Sequence, residues 1–382
     1  MQDLLAEFTK VAARHYDWLR EWKKTHDKKL VGVSPMHLPE EIVHAAGLQP
    51  VVLQESDEPV TFGHAYIFPH FCAWTRSVLD LLAKEKLDLF DGLLFFDECL
   101  QTRATRIIAG DRIRFPYYRL VQPTCSLRSP SALAEVTETY EQLRSDIEKF
   151  VGHRITDKAL QESILLYNKN RDLLRKLYDI RRRKPGVLRA REIVAIVQSS
   201  MVMPKEEHSE LMEKLLPKLE QREPRPNGRV RLVLSGHLCL APKTDLLDIM
   251  EEAGGVIVDD DLYTGYRYFA TDVPANGNPI EALAKRYLTN VPPNPTRWDP
   301  DSDWAEYIID MTNRNKAQGV IVLVVKHCEL HHWYFAHIRR MLMSLEIPYL
   351  LLETEHETVS LGPERTRIEA FMEMIRAADL DQ

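Results

Sequence analysis

The 382-residue chain has no apolar run close to the roughly 20 residues that span a bilayer. Cysteine is scarce, and five cysteines in a long chain do not form the paired framework of a disulfide-stabilised secreted domain. The first 24 residues read as an amphipathic charged helix without the uninterrupted apolar region of a secretory signal. We therefore expect a cytoplasmic protein, away from membranes, whose cysteines are free thiols, ligands or nucleophiles.

Two further absences limit the function. The net charge is −7, which argues against nucleic acid as the main partner. No phosphate-binding P-loop motif is present, so ATP would be used elsewhere. Apolar residues make up 45% of the chain, enough for the cores of the two or three domains that its length predicts.

Strands alternate with helices in two parts of the chain, which predicts β-α-β units and mostly parallel sheets. We predict an α/β protein with two doubly wound, mostly parallel α/β domains joined by a helical segment. The predicted boundaries are 1–24 for an N-terminal helix, 25–128 for the first α/β domain, 129–225 for the helical segment and 226–382 for the second α/β domain.

Two segments, one rich in proline and one in basic residues, add detail to this predicted architecture. Residues 273–300 contain many prolines and are predicted to be irregular. The basic string 181–184 ends a predicted long helix, and we interpret it as a solvated helix end whose charge suits the helix dipole. A contact with an anionic partner or a nucleotide tail is the alternative interpretation of that string.

Three cysteines lie at junctions with helices. Cys72 precedes an amphipathic helix, Cys99 follows an apolar strand, and Cys328 stands between a strand and a helix. Helix N-termini present free N–H groups and a positive dipole end, so we expect thiolate to be favoured over thiol there. We predict that the three thiolates hold an iron–sulfur cluster. Cys239 also follows a predicted strand, at the sheet edge where open α/β sheets bind ligands.

Other interpretations of the cysteines remain open. A cysteine taken alone is most often a small buried apolar residue. A zinc site would need a fourth ligand, for which His70, His327 and His331 are near in sequence. Cys328 flanked by His327 and His331 could instead be a nucleophile. Cys239 could be a fourth ligand or a neighbouring thiol, whereas Cys125 looks incidental.

Several segments resemble the benzoyl-CoA reductase and 2-hydroxyacyl-CoA dehydratase superfamily over nearly the whole chain. Within it, the chain is most similar to the smaller cluster-carrying subunits of ATP-dependent benzoyl-CoA reductases. The matching segments are PEEIVHAAGLQPV (39–51), FDGLLFFDECLQTR (90–103), EEAGGVIVDDDLYTGYRYF (251–269) and GVIVLVVKHCELHHWYFAHIRRML (319–342).

The resemblance implies a [4Fe–4S] cluster held by Cys72, Cys99 and Cys328, with one iron open, or alternatively one half of a double-cubane cluster. It also implies a homologous larger cluster-carrying subunit, a separate ATP-hydrolysing iron–sulfur activator and an acyl-CoA substrate. His327, His331 and Ser34 are the candidate catalytic residues. The structural alternatives are that the histidines cap a helix and fill a pocket, and that Ser34 is a turn residue before proline.

Four functions follow from these interpretations. The first is reduction of an aromatic acyl-CoA such as benzoyl-CoA to a cyclic dienoyl-CoA, in anaerobic aromatic degradation. The second is a radical dehydration of a 2-hydroxyacyl-CoA. The third is a homodimeric double-cubane reductase, and the fourth is a zinc-bearing scaffold without redox chemistry.

Overall fold

The computed structural model describes residues 1–112, 117–225, 230–356 and 360–380. Two four-stranded sheets form its framework, and every strand pairs in parallel with its neighbours. This arrangement confirms the predicted α/β class. The first sheet, in the order β2-β1-β3-β4, consists of β1 (Leu30–Val33), β2 (Gln49–Val52), β3 (Gly92–Phe96) and β4 (Tyr117–Val121). The second, in the order β6-β5-β7-β8, consists of β5 (Val230–Gly236), β6 (Gly255–Asp260), β7 (Gly319–Val325) and β8 (Tyr349–Thr354).

Helices cover the rest of the framework, together with one short 3₁₀ turn at Gly63–Ala65. They are α1 (Gln2–Ala13), α2 (His15–Thr25), α3 (Glu40–Ala45), α4 (Ala73–Ala83), α5 (Leu100–Arg112), α6 (Ala132–Val151), α7 (Asp157–Arg183), α8 (Ala190–Ser200), α9 (Lys205–Gln221), α10 (Thr244–Glu252), α11 (Tyr266–Phe269), α12 (Pro279–Leu288), α13 (Trp304–Arg314), α14 (Glu329–Ser344) and α15 (Gly362–Leu380). Within the described ranges, none of them has both the length and the apolar character of a bilayer-spanning helix.

Strands β1, β2, β3, β6 and β7 are buried along their whole length, so both faces of the sheets are covered there, which explains why these strands read as continuous apolar runs. In the first sheet, Val31 and Val33 pack into one core cluster while Leu30 packs into another. In the second sheet, Val233 belongs to the same cluster as Val31, and Leu232 belongs to a third. One continuous core therefore contacts one face of both sheets.

Helix α7 is bonded to both halves of the chain. Thr156 caps its N-terminus by accepting the N–H of Ala159. Nearer the middle of α7, Arg171 pairs with Glu41 of α3 beside the first sheet. At its C-terminal end, Arg181 pairs with Asp260 of β6 at 2.5 Å. The helix is therefore bonded to an element of each half.

The interpretation of residues 181–184 as a solvated helix end is wrong for Arg181. Its side chain is only 4% exposed, and the hydroxyl of Tyr178 donates a second hydrogen bond to the same Asp260 carboxylate at 2.7 Å. Arg183, two residues later, is exposed and pairs with Glu220, as a solvated end would. The sequence pattern does not distinguish the two because the direction of each side chain depends on packing.

Two other predictions need correction. The predicted N-terminal helix is divided at Arg14, whose φ of −137° is not helical. The predicted irregular stretch 273–300 contains α12, because Asn278 accepts the N–H groups of Ile280 and Glu281 and Pro279 occupies the first turn. The domain boundaries stay a prediction, and residues 226–229, at the start of the predicted second domain, lie outside the described residues.

Candidate functional site

Three cysteines precede three helices. Cys72 is the N-cap of α4, Cys99 directly precedes α5, and Cys328 is the N-cap of α14. Cys99 and Cys328 follow β3 and β7, so they lie beyond the carboxyl ends of parallel strands. The local sequence folds this way because each of these buried strands ends shortly before its cysteine and the helix begins at once.

The first turn of each helix contacts its own cysteine sulfur. Cys72 Sγ lies 3.4 Å from Thr75 Oγ1, and Cys99 Sγ lies 3.3 Å from Thr102 Oγ1. The backbone N–H groups of Thr75 and Thr102 also bond to these sulfurs, and that of His331 bonds to Cys328. Sequence reasoning missed the two threonines, although the repeated C-x-x-T spacing was a signal for them.

Gln101, which sequence reasoning also missed, links the three junctions. It lies in α5, two residues after Cys99, and is 8% exposed. Its Oε1 accepts the backbone N–H of Cys72, and its Nε2 donates to the carbonyl of His327 at 2.7 Å. One buried amide therefore fixes Cys72 and the residue before Cys328 relative to the helix that follows Cys99.

The expectation that thiolate is favoured at these helix N-termini is wrong for the protein alone. Burial raises the pKa of Cys72 to about 11 and that of Cys328 to about 12, and neighbouring cysteines raise them further. Burial also raises the pKa of Cys99. The N–H bonds lower each pKa but do not offset burial. A bound cation or cationic cluster core would reverse this balance, since thiolates bind metal.

Cys239 lies near the same three thiols. It follows β5, and after burial the charges of Cys99, Cys72 and Cys328 are the main influences that raise its pKa. It also lines a cleft of about 900 Å³. Cys125, in contrast, is exposed. Cys72, Cys99, Cys239 and Cys328 are thus close enough for the charge of one thiolate to affect the pKa of another, whereas Cys125 lies apart on the surface.

The donor set fits an iron–sulfur cluster in its chemistry. All five thiols are free, and sulfur donors at helix N-termini are typical ligands of such clusters. Within the described residues, no three His, Cys, Asp or Glu side chains come close enough together to hold one metal ion. Cysteines of a cluster bind different irons and therefore lie farther apart than the ligands of a single zinc ion.

The two candidate histidines lie on either side of Cys328. His331 is 1% exposed, stacks on Trp304 at 5.2 Å between ring centroids, and has no described hydrogen-bond partner at either ring nitrogen. Burial lowers its pKa to about 3, so the ring is neutral at pH 7. His327 is half-buried, packs edge-on against His70 at 5.2 Å and has a left-handed φ of 65°.

Ser34 lies at the carboxyl end of β1 and is buried. Its oxygen accepts the N–H of Phe96, the last residue of β3, at 2.8 Å. This bond links the ends of two adjacent strands, and Cys99 follows three residues after Phe96. Its own hydroxyl hydrogen bonds to no acceptor in the described part of the chain.

Comparison with known proteins shows sequence similarity to subunits that are named as parts of acyl-CoA dehydratases and reductases. The family model described as "2-hydroxyglutaryl-CoA dehydratase, D-component" matches residues 35–375. The chain is 26% identical to a benzoyl-CoA reductase subunit of Thauera aromatica over 94% of each chain. It is 25% identical to the (R)-phenyllactyl-CoA dehydratase beta subunit of Clostridium sporogenes, over 91% of this chain and 92% of the relative. It is also 25% identical to the (R)-2-hydroxyglutaryl-CoA dehydratase beta subunit of Acidaminococcus fermentans, over 97% and 99%.

Proposed function

The chain belongs to the 2-hydroxyglutaryl-CoA dehydratase D-component family, and we propose that it is the iron–sulfur subunit of an ATP-dependent benzoyl-CoA reductase. Its relatives are named as subunits of reductases and dehydratases, which supports an enzyme role. The observation that carries the proposal is the arrangement of Cys72, Cys99 and Cys328 at three helix N-termini tied together by Gln101.

In this proposal Cys72, Cys99 and Cys328 hold a [4Fe–4S] cluster, which when bound supplies single electrons of low potential for reduction of the aromatic ring. The chain's own contribution is positioning. The N–H groups of Thr75 and Thr102 donate to the sulfurs, and such bonds tune a cluster from its second coordination shell.

His331, His327 and Ser34 are proposed to handle protons. His331 is neutral and has a donor and an acceptor nitrogen without a described partner. His327 is accessible from the surface. The Ser34 oxygen accepts the N–H of Phe96, and its hydroxyl hydrogen remains available to donate a hydrogen bond. Substrate, an acyl-CoA, would have to approach within hydrogen-bond reach of these groups.

The proposed partners are a homologous larger cluster-carrying subunit and an ATP-hydrolysing iron–sulfur activator. The relatives' names support a partner subunit, since each of them is named as one subunit of an enzyme. A second candidate function, within a radical 2-hydroxyacyl-CoA dehydratase, is favoured by the family's own description and by two of the three relatives above. A homodimeric double-cubane reductase would instead work without a larger subunit.

Electron stoichiometry separates these functions. The chain would be combined without oxygen with a larger homologous subunit and an activator, and electrons consumed per product would be measured with benzoyl-CoA and with a 2-hydroxyacyl-CoA. Two electrons per dienoyl product support the reductase, and turnover with only catalytic electrons supports the dehydratase. Equal activity without the larger subunit supports the double-cubane alternative. No turnover of either thioester contradicts the proposal.

A further inference from the structure

A second cavity lies beyond the carboxyl end of β1, and none of the cysteines lines it. Its volume is about 60 Å³. A single water needs roughly 10–15 Å³ by the same measure, so the cavity has room for a small ion or a few waters. Its walls come mostly from residues 36–41, from α7 and from the segment 263–297, and Tyr140 of α6 and Lys205 of α9 complete them.

Basic side chains outnumber acidic ones in this wall. Glu40 and Glu41 are its two carboxylates. Its five basic residues are Arg171, Lys205, Arg267, Arg286 and Arg297. Charges in a protein interior are ordinarily paired, so each of these cations should have an anionic partner.

Three of the cations do have a carboxylate partner. Arg171 pairs with Glu41, and Lys205 lies 3.7 Å from Glu40. The third, Arg267, lies 3.4 Å from Asp261, which stands behind the wall. These pairs use both carboxylates of the wall.

Arg286 and Arg297 have only neutral acceptors among the described residues. Arg286 donates to the carbonyls of Thr271, at 3.0 Å, and Tyr268, at 3.5 Å. Arg297 donates to the carbonyl of Tyr287 and to Asn290 Oδ1, at 2.5 and 3.1 Å. Its Nε is buried and has no described partner.

Arg297 is therefore a buried cation and Arg286 a half-buried one, and neither forms an ion pair with a carboxylate among the described residues, although the charges of Glu98 and Glu41 act on them from farther away. Arg297 is 7% exposed. Burial lowers the pKa of Arg286 to about 10, with the charge of Arg171 adding to the effect, and burial also lowers the pKa of Arg297. Guanidinium groups bind oxyanions in charge-assisted, often bidentate hydrogen bonds, which would remove this cost.

The backbone is strained where the chain leaves β1 and enters the cavity wall. Met36 and His37 have left-handed φ values of 65° and 43°, which are uncommon for residues other than glycine. Such conformations concentrate at ligand-binding sites, where the surrounding structure holds them in place. His37 is held by Asn294, with 2.9 Å between Nε2 and Nδ2.

We propose that this cavity binds a compact oxyanion through Arg286 and Arg297. The hydroxyl of Tyr167 is a third ligand, since Tyr167 lines the cavity and its hydroxyl makes no hydrogen bond with a described residue. The oxyanion is a free phosphate- or carboxylate-sized ion or the phosphate group of a CoA ester. The site does not depend on the proposed function, because it needs neither the cluster nor a partner subunit.

Thermal unfolding of the full chain tests the site. Inorganic phosphate would be titrated against potassium chloride at matched ionic strength for the wild type, Arg286→Gln, Arg297→Gln and the control Arg183→Gln, whose arginine is exposed and paired with Glu220. Phosphate should raise the melting temperature of the wild type and of the control. Each cavity variant should need at least roughly tenfold more phosphate, as expected for loss of a charge-assisted hydrogen bond.

Parallel titrations with acetate and with CoA identify the source of the oxyanion. A shift at lower concentration with CoA than with phosphate, and with the same arginine dependence, assigns the site to a CoA phosphate. If both arginine variants fail to fold, Tyr167→Phe replaces them, and it should weaken the phosphate response severalfold. A wild type that responds to none of the three anions beyond chloride overturns the proposal, as does an equal response in the variants.

Discussion

The two sheets share one strand order, and their third strands end in the same way. Cys99 follows Phe96, the end of β3, by three residues, and Cys328 follows Val325, the end of β7, by three residues. The sheets differ in what surrounds this position. Cys72 and Gln101 belong to the first half, whereas the second half supplies His331 stacked on Trp304. Repeated topology thus provides two equivalent thiols, and the segments between strands provide the third thiol and the link between all three.

The largest loss of stability is expected for a change in α7, because this helix is bonded to both halves of the chain. Arg181→Met should lower the free energy of unfolding by about 3–5 kcal/mol, because it leaves Asp260 buried without its cation. Arg183→Met, two residues away and exposed, should change it by no more than about 0.5 kcal/mol. Urea unfolding measures both. Similar values for the two variants would show that α7 is not anchored to the second sheet through this pair.

The central strands of the two sheets should differ in their tolerance of a methyl group. A Cβ at Gly236 in β5 would lie 2.0 Å from the carbonyl oxygen of Leu323, and its φ of 115° disfavours any side chain. The three atoms nearest to a Cβ at Gly32 in β1 would be leucine side-chain atoms, at 2.7, 2.8 and 3.4 Å, which can shift away. We expect Gly236→Ala to cost about 3 kcal/mol of stability and Gly32→Ala about 1 kcal/mol. Chemical denaturation that ranks the two in the opposite order would contradict the close approach of β5 and β7.

Gln101 belongs to the first half of the chain and links the three cysteine junctions, and its replacement breaks this link. Gln101→Leu leaves the Cys72 N–H and the His327 carbonyl without their partner, which should cost about 1–3 kcal/mol. Gln122→Leu is the control, because Gln122 makes a hydrogen bond with Asp97 on an exposed part of the chain. Iron content and thermal stability would be measured together. A Gln101→Leu protein that matches the control in both would show that the amide does not hold the junctions together.

A smaller, pH-dependent effect is expected where the halves meet at His356. Burial lowers the pKa of His356, but its hydrogen bond to Glu55 at 2.9 Å and the carboxylate charge raise it above 6.5 overall. Its stabilising contribution is therefore fully present below pH 6.5 and is lost as pH rises through the folded-state pKa. Wild type should lose stability relative to His356→Gln between pH 6 and 8. If the stabilities of the two proteins change with pH in the same way, the contact between His356 and Glu55 is not the cause of the pH dependence.

The sequence predicted the parts of the fold that local patterns determine. The alternation of strands and helices is present in both sheets, because buried parallel strands are short apolar runs between clear breaks. The expected junctions of Cys72, Cys99 and Cys328 with helices are also present. Helix α12 was missed because its prolines were interpreted as breakers, although Pro279 follows a capping asparagine.

The rest depends on contacts between residues far apart in the chain. Gln101 and His327 are 226 positions apart, and Arg181 and Asp260 are 79 apart, so no local pattern could join them. The raised pKa values of the cysteines depend on burial, which a helix N-terminus does not reveal by itself. The excess of basic residues around the second cavity likewise arises from segments separated in sequence.

The central claim is that Cys72, Cys99 and Cys328 together hold an iron–sulfur cluster. Iron and acid-labile sulfide would be measured on protein purified without oxygen, with EPR after reduction, for the wild type, Cys99→Ala, Cys328→Ala and the exposed control Cys125→Ala. We predict about four irons and four sulfides per chain in the wild type and the control, as in a [4Fe–4S] cluster, and their loss in the other two variants. Zinc in place of iron, or a folded wild-type chain that contains no metal, would contradict the account.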